Sequence, residues 1–150
     1  MEQELDKSIN VDSLWIIPER DKSGKHANVY HGNFVPQIPN QLIRRYTKEG
    51  DCVVDMFMGS GTTLFECENL NRNFIGFDIN ESIIDYVKSK MIDVKNIKFS
   101  ISNCDVSNRT LFTETISKNL QEQKISKADF LILHPPYTVS QFTIHSIHFR

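Results

Sequence analysis

The sequence predicts an α/β fold built on a parallel sheet. Three observations carry that prediction: short apolar runs that each end in a polar residue, stretches of helical length between them, and a glycine-rich turn directly after the first run. Parallel strands cannot be joined by tight turns and need crossovers of about a dozen residues, which the helical stretches supply. The chain has 150 residues, of which 39% are hydrophobic and 24% charged, enough to bury one sizeable core.

Each element has its own signal. Residues 1–32 are polar apart from Leu14, Trp15, Ile16 and Ile17, and they read as an extension or lid rather than a core, with Trp15 as its anchor. Pro36 and Pro39 then punctuate the chain. A short amphipathic helix over 41–48 follows, with Leu42, Ile43 and Tyr46 on one face and Gly50 at its C-cap. Residues 52–55 form a compact strand running into Gly59, Ser60 and Gly61, after which Thr62 and Thr63 open a helix reaching about residue 71. Residues 74–77 are a buried strand ended by Asp78, and 81–91 a helix with Ile83, Ile84 and Val87 inward. A third strand over 97–102 ends near Asp105, a helix covers 110–121, and a fourth strand covers 129–133. In such sheets ligands bind at the carboxyl ends of the strands, where Asp55, Asp78, Asp105 and His134 all fall.

Composition narrows the function classes. Seventeen Lys and Arg against 19 Asp and Glu give a net charge of -2, so no global positive field draws the chain onto a polyanion or an anionic membrane. Arg44, Arg45 and Lys48 are the one compact basic cluster near the core and read as helix-surface charge. No apolar run approaches the roughly 20 residues of a membrane span, and the acidic N-terminus does not resemble a signal peptide, so a cytoplasmic protein is expected. Cys52, Cys67 and Cys104 lack paired spacing and are expected as thiols. His145 and His148 stand three apart without companion ligands, and no metal is expected there.

Two constellations carry chemistry. The first is the string from Asp55 through Met56, Phe57, Met58, Gly59, Ser60, Gly61 and Thr62 to Thr63, with Asp78 at the next strand end. Glycines there let the backbone turn sharply and let a ligand approach it, and an acidic group roughly 20 residues on suits paired ribose hydroxyls. The loop lacks the lysine of a phosphate-binding loop, so a nucleoside-containing cofactor without diphosphate is indicated. The bland alternative is a tight turn with a capping threonine. The second constellation is His134, Pro135, Pro136 and Tyr137 directly after the most apolar strand. Prolines hold the chain extended and leave carbonyls free to accept from a planar amine, while Tyr137 offers a stacking face. The alternative is a strand terminator that packs on a neighbour.

Together these strings resemble the S-adenosylmethionine-dependent DNA amino-methyltransferases, which act on adenine N6 or cytosine N4. The resemblance implies a Rossmann-like methyltransferase sheet, mostly parallel and three-layered, incomplete at about four strands. It spans residues 33–137 as a partial catalytic domain, between an N-terminal extension at 1–32 and a tail at 138–150. It makes Asp55 to Thr63 the cofactor motif, Phe57 included, Asp78 the ribose-binding acid and Asp105 the acid near the cofactor adenine. Phe34 and Pro36 fall in the segment that closes over the methionine end. His134 to Tyr137 stand at the catalytic loop, whose first position is ordinarily Asp, Asn or Ser. A neutral imidazole accepts a hydrogen bond and an imidazolium cannot, so His134 is expected to work in its neutral form or to contribute only its carbonyl. DNA is the implied partner. The tail is too short for the family's further strands, so the chain is expected to form the cofactor half alone, completed by a second chain or a missing segment.

Overall fold

In a computed structural model the structure describes residues 8–26 and 33–136. Four strands, β1 (Cys52–Asp55), β2 (Asn73–Asp78), β3 (Phe99–Asn103) and β4 (Phe130–Ile132), alternate with α1 (Gln37–Tyr46), α2 (Thr62–Asn69), α3 (Glu81–Lys90) and α4 (Arg109–Gln123). The sheet order is β3-β2-β1-β4 and all three pairings are parallel. Strand order reverses at β1. Two crossovers carry the chain outward from β1 to β3, and the third returns it past β1 to β4.

Because side chains alternate along a strand, β1 feeds two cores. Val53 joins Phe74, Ile43, Leu64 and Val87 on the face covered by α1, α2 and α3. Val54 joins Ile75 and Phe77 on the other, where Phe112, Ile116 and Leu120 of α4 pack. The result is the expected three layers. Cys52, Cys67 and Cys104 are free thiols inside these cores.

Several boundaries depart from the sequence reading. Helix α1 starts at Gln37, four residues early, with Pro36 as its N-cap and Pro39 inside it. A proline in the first turn loses no bond, because the amide it lacks has no intrahelical acceptor. Ile43 and Pro39 are its buried residues, whereas Tyr46 is 56% exposed and stacks on Phe130 with ring centres 5.6 Å apart. Gly50 is not the C-cap of α1, which is Thr47; it lies in the Lys48–Asp51 turn with φ +85°. Helix α4 is longer than expected, and its buried positions are Asn119 and Gln123. Gln123 Nε2 donates to the Phe74 carbonyl at 3.1 Å and Asn119 Nδ2 to Ser102 Oγ at 2.9 Å, so amides dock this helix where apolar periodicity is weak.

Residues 8–26 are tied to the core rather than merely appended to it. Gln41 donates to the Ser8 carbonyl and accepts from the Asn10 amide, and Gln37 likewise bonds Glu19 and Asp21. Trp15 is half-buried, with its indole N–H on the Asp12 carbonyl. Lys25 pairs with Glu68 at 2.5 Å. His26, 6% exposed, inserts against Phe65 and Glu66 of α2.

Candidate active site

The carboxyl ends of β1 and β2 meet at the glycine turn. Gly59 has φ +54° and Gly61 φ +88°, conformations that disfavour any side chain. A Cβ on Gly61 would also meet Val87 at 3.0 Å and Phe65 at 3.1 Å, so here the glycine lets α2 sit close to α3. Gly61 itself is the N-cap of α2 and no side chain caps the helix. Thr63 is used elsewhere: its hydroxyl donates to Asp55 Oδ2 at 2.6 Å.

Asp55 is 1% exposed, and its other oxygen accepts from the Phe57 amide at 3.0 Å. Both oxygens therefore hold the turn from inside. Burial pushes its carboxyl up to about 6, against the Thr63 and Phe57 hydrogen bonds that favour the charge.

Asp78 is half-buried and links the turn to β2. Its Oδ2 accepts from the Gly59 amide and its Oδ1 from the Asn80 amide, both at 2.9 Å. A carboxylate offers about four acceptor positions, so two remain for a diol. Ser60 is buried, with Asn33 donating to its hydroxyl. Thr62 is buried in the first turn of α2 and Phe57 half-buried in the turn. Asp105 is exposed, with a carboxyl held below the ordinary range by the Ser107 hydroxyl and amide.

The second constellation lies beyond β4, on the other side of β1 from Asp78. His134 stacks on Phe34, with ring centres 4.5 Å apart and planes 17° from parallel. Two segments far apart in sequence, one expected over the cofactor and one expected over the target, are thereby in contact. Desolvation at this position lowers the His134 pKa from 6.5, which favours the neutral imidazole. Pro36 is buried as the α1 N-cap, and Pro135 and Pro136 are exposed. Tyr137, His145 and His148 lie outside the described residues. A shallow concavity of about 470 Å³ lined by Lys48, Lys98, Lys124 and Lys127 opens at the amino ends of the strands, opposite this site.

The sequence reading missed Asn33, although it borders the Phe34 motif, because a lone asparagine carries no pattern. It also missed Arg20, whose Nη1 donates to the Phe34 carbonyl at 2.9 Å and the Asn33 carbonyl at 3.4 Å.

A sequence model of the family described as DNA methylase matches residues 2–89. The chain belongs to that family. Among curated relatives, Type II methyltransferase M.MjaII of Methanocaldococcus jannaschii is 34% identical over 129 residues, covering 84% of this chain and 23% of that protein. Type II methyltransferase M.HpaI of Haemophilus parainfluenzae is 45% identical over 85 residues, covering 57% of this chain and 27% of that protein. The solved structure of TrmN from Thermus thermophilus shares the fold, with a TM-score of 0.51 at 19% identity, over 73% of this chain and 31% of that one. This family member thus spans about a quarter of the length of the curated relatives it matches.

S-adenosylmethionine is the methyl donor of this family, and the residues present fit it: a turn of positive-φ glycines at the strand ends, and beside it a carboxylate with two acceptor positions unspent. Asp78→Ala is therefore expected to weaken binding of S-adenosylhomocysteine by about 1–3 kcal/mol, the range for charged hydrogen bonds. Calorimetric titration checks it, and unchanged affinity moves the ribose contact away from Asp78.

Proposed function

We propose that this chain is the cofactor-binding half of an enzyme that methylates an exocyclic amine of a DNA base, adenine N6 or cytosine N4. The observation that carries this reading is the Phe34–His134 stack, which joins the segment beside the glycine turn to the loop after β4. The relatives named as Type II methyltransferases support DNA as the substrate and a restriction-modification setting. Such work belongs in the cytoplasm, and among the described residues no helix is long and apolar enough to cross a membrane.

S-adenosylmethionine, when bound, supplies an electrophilic methyl on a sulfonium sulfur. The chain's own residues then have three tasks. Asp78 and the turn hold the nucleoside end. The His134–Tyr137 loop receives a base extruded from the duplex, with Tyr137 covering its ring. A neutral His134 ring nitrogen and a loop carbonyl accept the N–H bonds of the amine, whose lone pair is otherwise delocalised into the ring, and turn it toward the methyl. The lowered His134 pKa keeps the accepting form populated at neutral pH.

Strand β4 pairs only with β1 among the described residues, and Leu131 within it and Leu133 just after it are 46% and 56% exposed. Apolar exposure at a sheet edge supports completion by further chain or by a second subunit. The chain alone is accordingly expected to bind S-adenosylhomocysteine in a calorimeter yet to transfer no labelled methyl to DNA near the ordinary enzymatic rate of about one per second. With the completing segment added, label is expected in DNA in preference to RNA or protein. Rapid transfer by the chain alone defeats the half-site reading, and label entering RNA or protein instead defeats the DNA reading. The rate should fall as pH drops through the His134 titration, below 6.5. Equal rates on both sides of that titration would leave the ring without a role.

A further inference from the structure

Among the described residues, one edge of the Arg20 guanidinium has no hydrogen-bond acceptor. Its Nη1 is spent on the Asn33 and Phe34 carbonyls, but Nε and Nη2 are buried and have no hydrogen-bond partner. In a guanidinium these two nitrogens share one side of the plane and present parallel N–H bonds, the fork that takes a carboxylate in bidentate fashion. A charged donor pair held from water without an acceptor destabilises the folded chain. The neighbouring acids do not relieve it: among the described residues no carboxylate bonds this fork, and Asp21 is turned back onto the Ser23 amide.

Location gives the empty fork its meaning. The two carbonyls that fix Arg20 belong to Asn33, whose side chain bonds Ser60 of the glycine turn, and to Phe34, whose ring stacks on His134. Arg20 is thus anchored to the backbone that bridges the cofactor turn and the catalytic loop. The methyl donor carries its reactive sulfur between an adenosine and an amino-acid tail, and that tail ends in the one carboxylate of the molecule. With ribose at Asp78 and the target amine at His134, the tail belongs near the bridge between them.

We infer that Arg20 is the receptor for the carboxylate of the cofactor's methionine end, bound side-on through Nε and Nη2. This rests on the cofactor reading above and deepens it. The fork is shut off from solvent, so the carboxylate enters by displacing a covering side chain and the resulting pair forms out of water. Arg20 then serves twice, bracing the 33–34 backbone through Nη1 and holding the carboxylate through Nε and Nη2.

The test compares two ligands that differ in the amino-acid tail. S-adenosylhomocysteine carries the carboxylate, and 5′-methylthioadenosine keeps the nucleoside and sulfur without it. Calorimetric titration of the full chain with each is repeated for Arg20→Met, which keeps an apolar stem, and Arg20→Lys, which keeps the charge but not the fork. Both variants are expected to lose about tenfold or more in affinity for S-adenosylhomocysteine and to bind methylthioadenosine within about twofold of the parent chain. Equal losses on both ligands would reduce Arg20 to a brace for the backbone and overturn the inference. So would no loss on either ligand, or a parent chain that binds the two equally well. A drop in DNA affinity with S-adenosylhomocysteine affinity intact would make the fork a phosphate receptor instead. A parent chain that binds neither ligand overturns the cofactor reading itself, and this inference with it.

Discussion

Glu66→Ala is expected to cost about 2–4 kcal/mol of stability, from a buried donor left unsatisfied and the loss of packed side-chain atoms. Glu66 is 3% exposed and accepts from His26 Nε2 and Asn40 Nδ2, each at 2.5 Å, and from Asn69 Nδ2 at 3.3 Å. Alanine strands the buried His26 donor and takes an acceptor from half-buried Asn40, while exposed Asn69 keeps water as a partner. The loss should not stay local. His26 is the last residue described in the 8–26 segment, whose other ties to the core are the paired bonds of Gln37 and of Gln41, the Lys25–Glu68 ion pair and the Arg20 bonds to the Asn33 and Phe34 carbonyls, none of them as buried as this one. Chemical denaturation measures the cost, and hydrogen exchange over 8–26 reports release of the segment. Glu66→Gln keeps an acceptor and should recover part of the stability. A Glu66→Ala chain as stable as the parent, with the segment still protected, would mean that Asn40 and His26 find other partners.

Asp55 gives the second large effect, and its sign depends on pH. Its folded carboxyl stands at about 6 against an ordinary 3.8, because burial outweighs its two hydrogen bonds. A raised carboxyl binds a proton in the folded chain before the unfolded one. Its contribution is therefore fully present below pH 3.8 and lost as pH rises through about 6, a swing of about 3 kcal/mol at 1.36 kcal/mol per unit. Half-buried Asp21 and Asp129 and exposed Asp105 have lowered values and act the other way, but only as pH falls below 3.8. Between about pH 4 and 6 the parent chain should gain stability on acidification, while Asp55→Asn, which accepts from Phe57 and donates to Thr63, should not. Denaturation midpoints at several pH values test the difference. Asp55→Ala should be destabilised by about 2–4 kcal/mol at every pH, since it strands the Thr63 hydroxyl and the Phe57 amide.

These two residues show where sequence reading succeeds and where it stops. The strand ending in Asp55, the glycines after it and Asp78 at the next strand end were legible because backbone geometry restricts which residues can stand there. All four strands and their parallel direction followed from apolar runs separated by crossovers, whereas their order in the sheet did not. Glu66 and His26 were not legible, since a carboxylate mid-helix and a histidine in a polar segment read as solvated until the fold brings them together. The start of α1 was masked by Pro39, because a proline signals a boundary equally well from outside a helix or within its first turn. Arg20 was invisible for a subtler reason: what marks it is two donors without partners, and no sequence displays an absence.

The return of the chain past β1 has a consequence for the order of assembly. β1 and β2 are joined through α2 alone, so the half proposed to grip the nucleoside forms from contacts close along the chain. The bond from the Cys52 amide to Asp129, which fixes the start of β4, spans 77 residues. Closing so long a loop is entropically late, as distant pairings must wait for local ones. During synthesis the turn with Asp55 and Asp78 is then formed while β4 and the His134 loop after it are still to be added, so the proposed cofactor grip precedes the proposed reactive pocket. On the proposed reading, a chain interrupted between α3 and β4 is expected to hold the ligand and lack the chemistry.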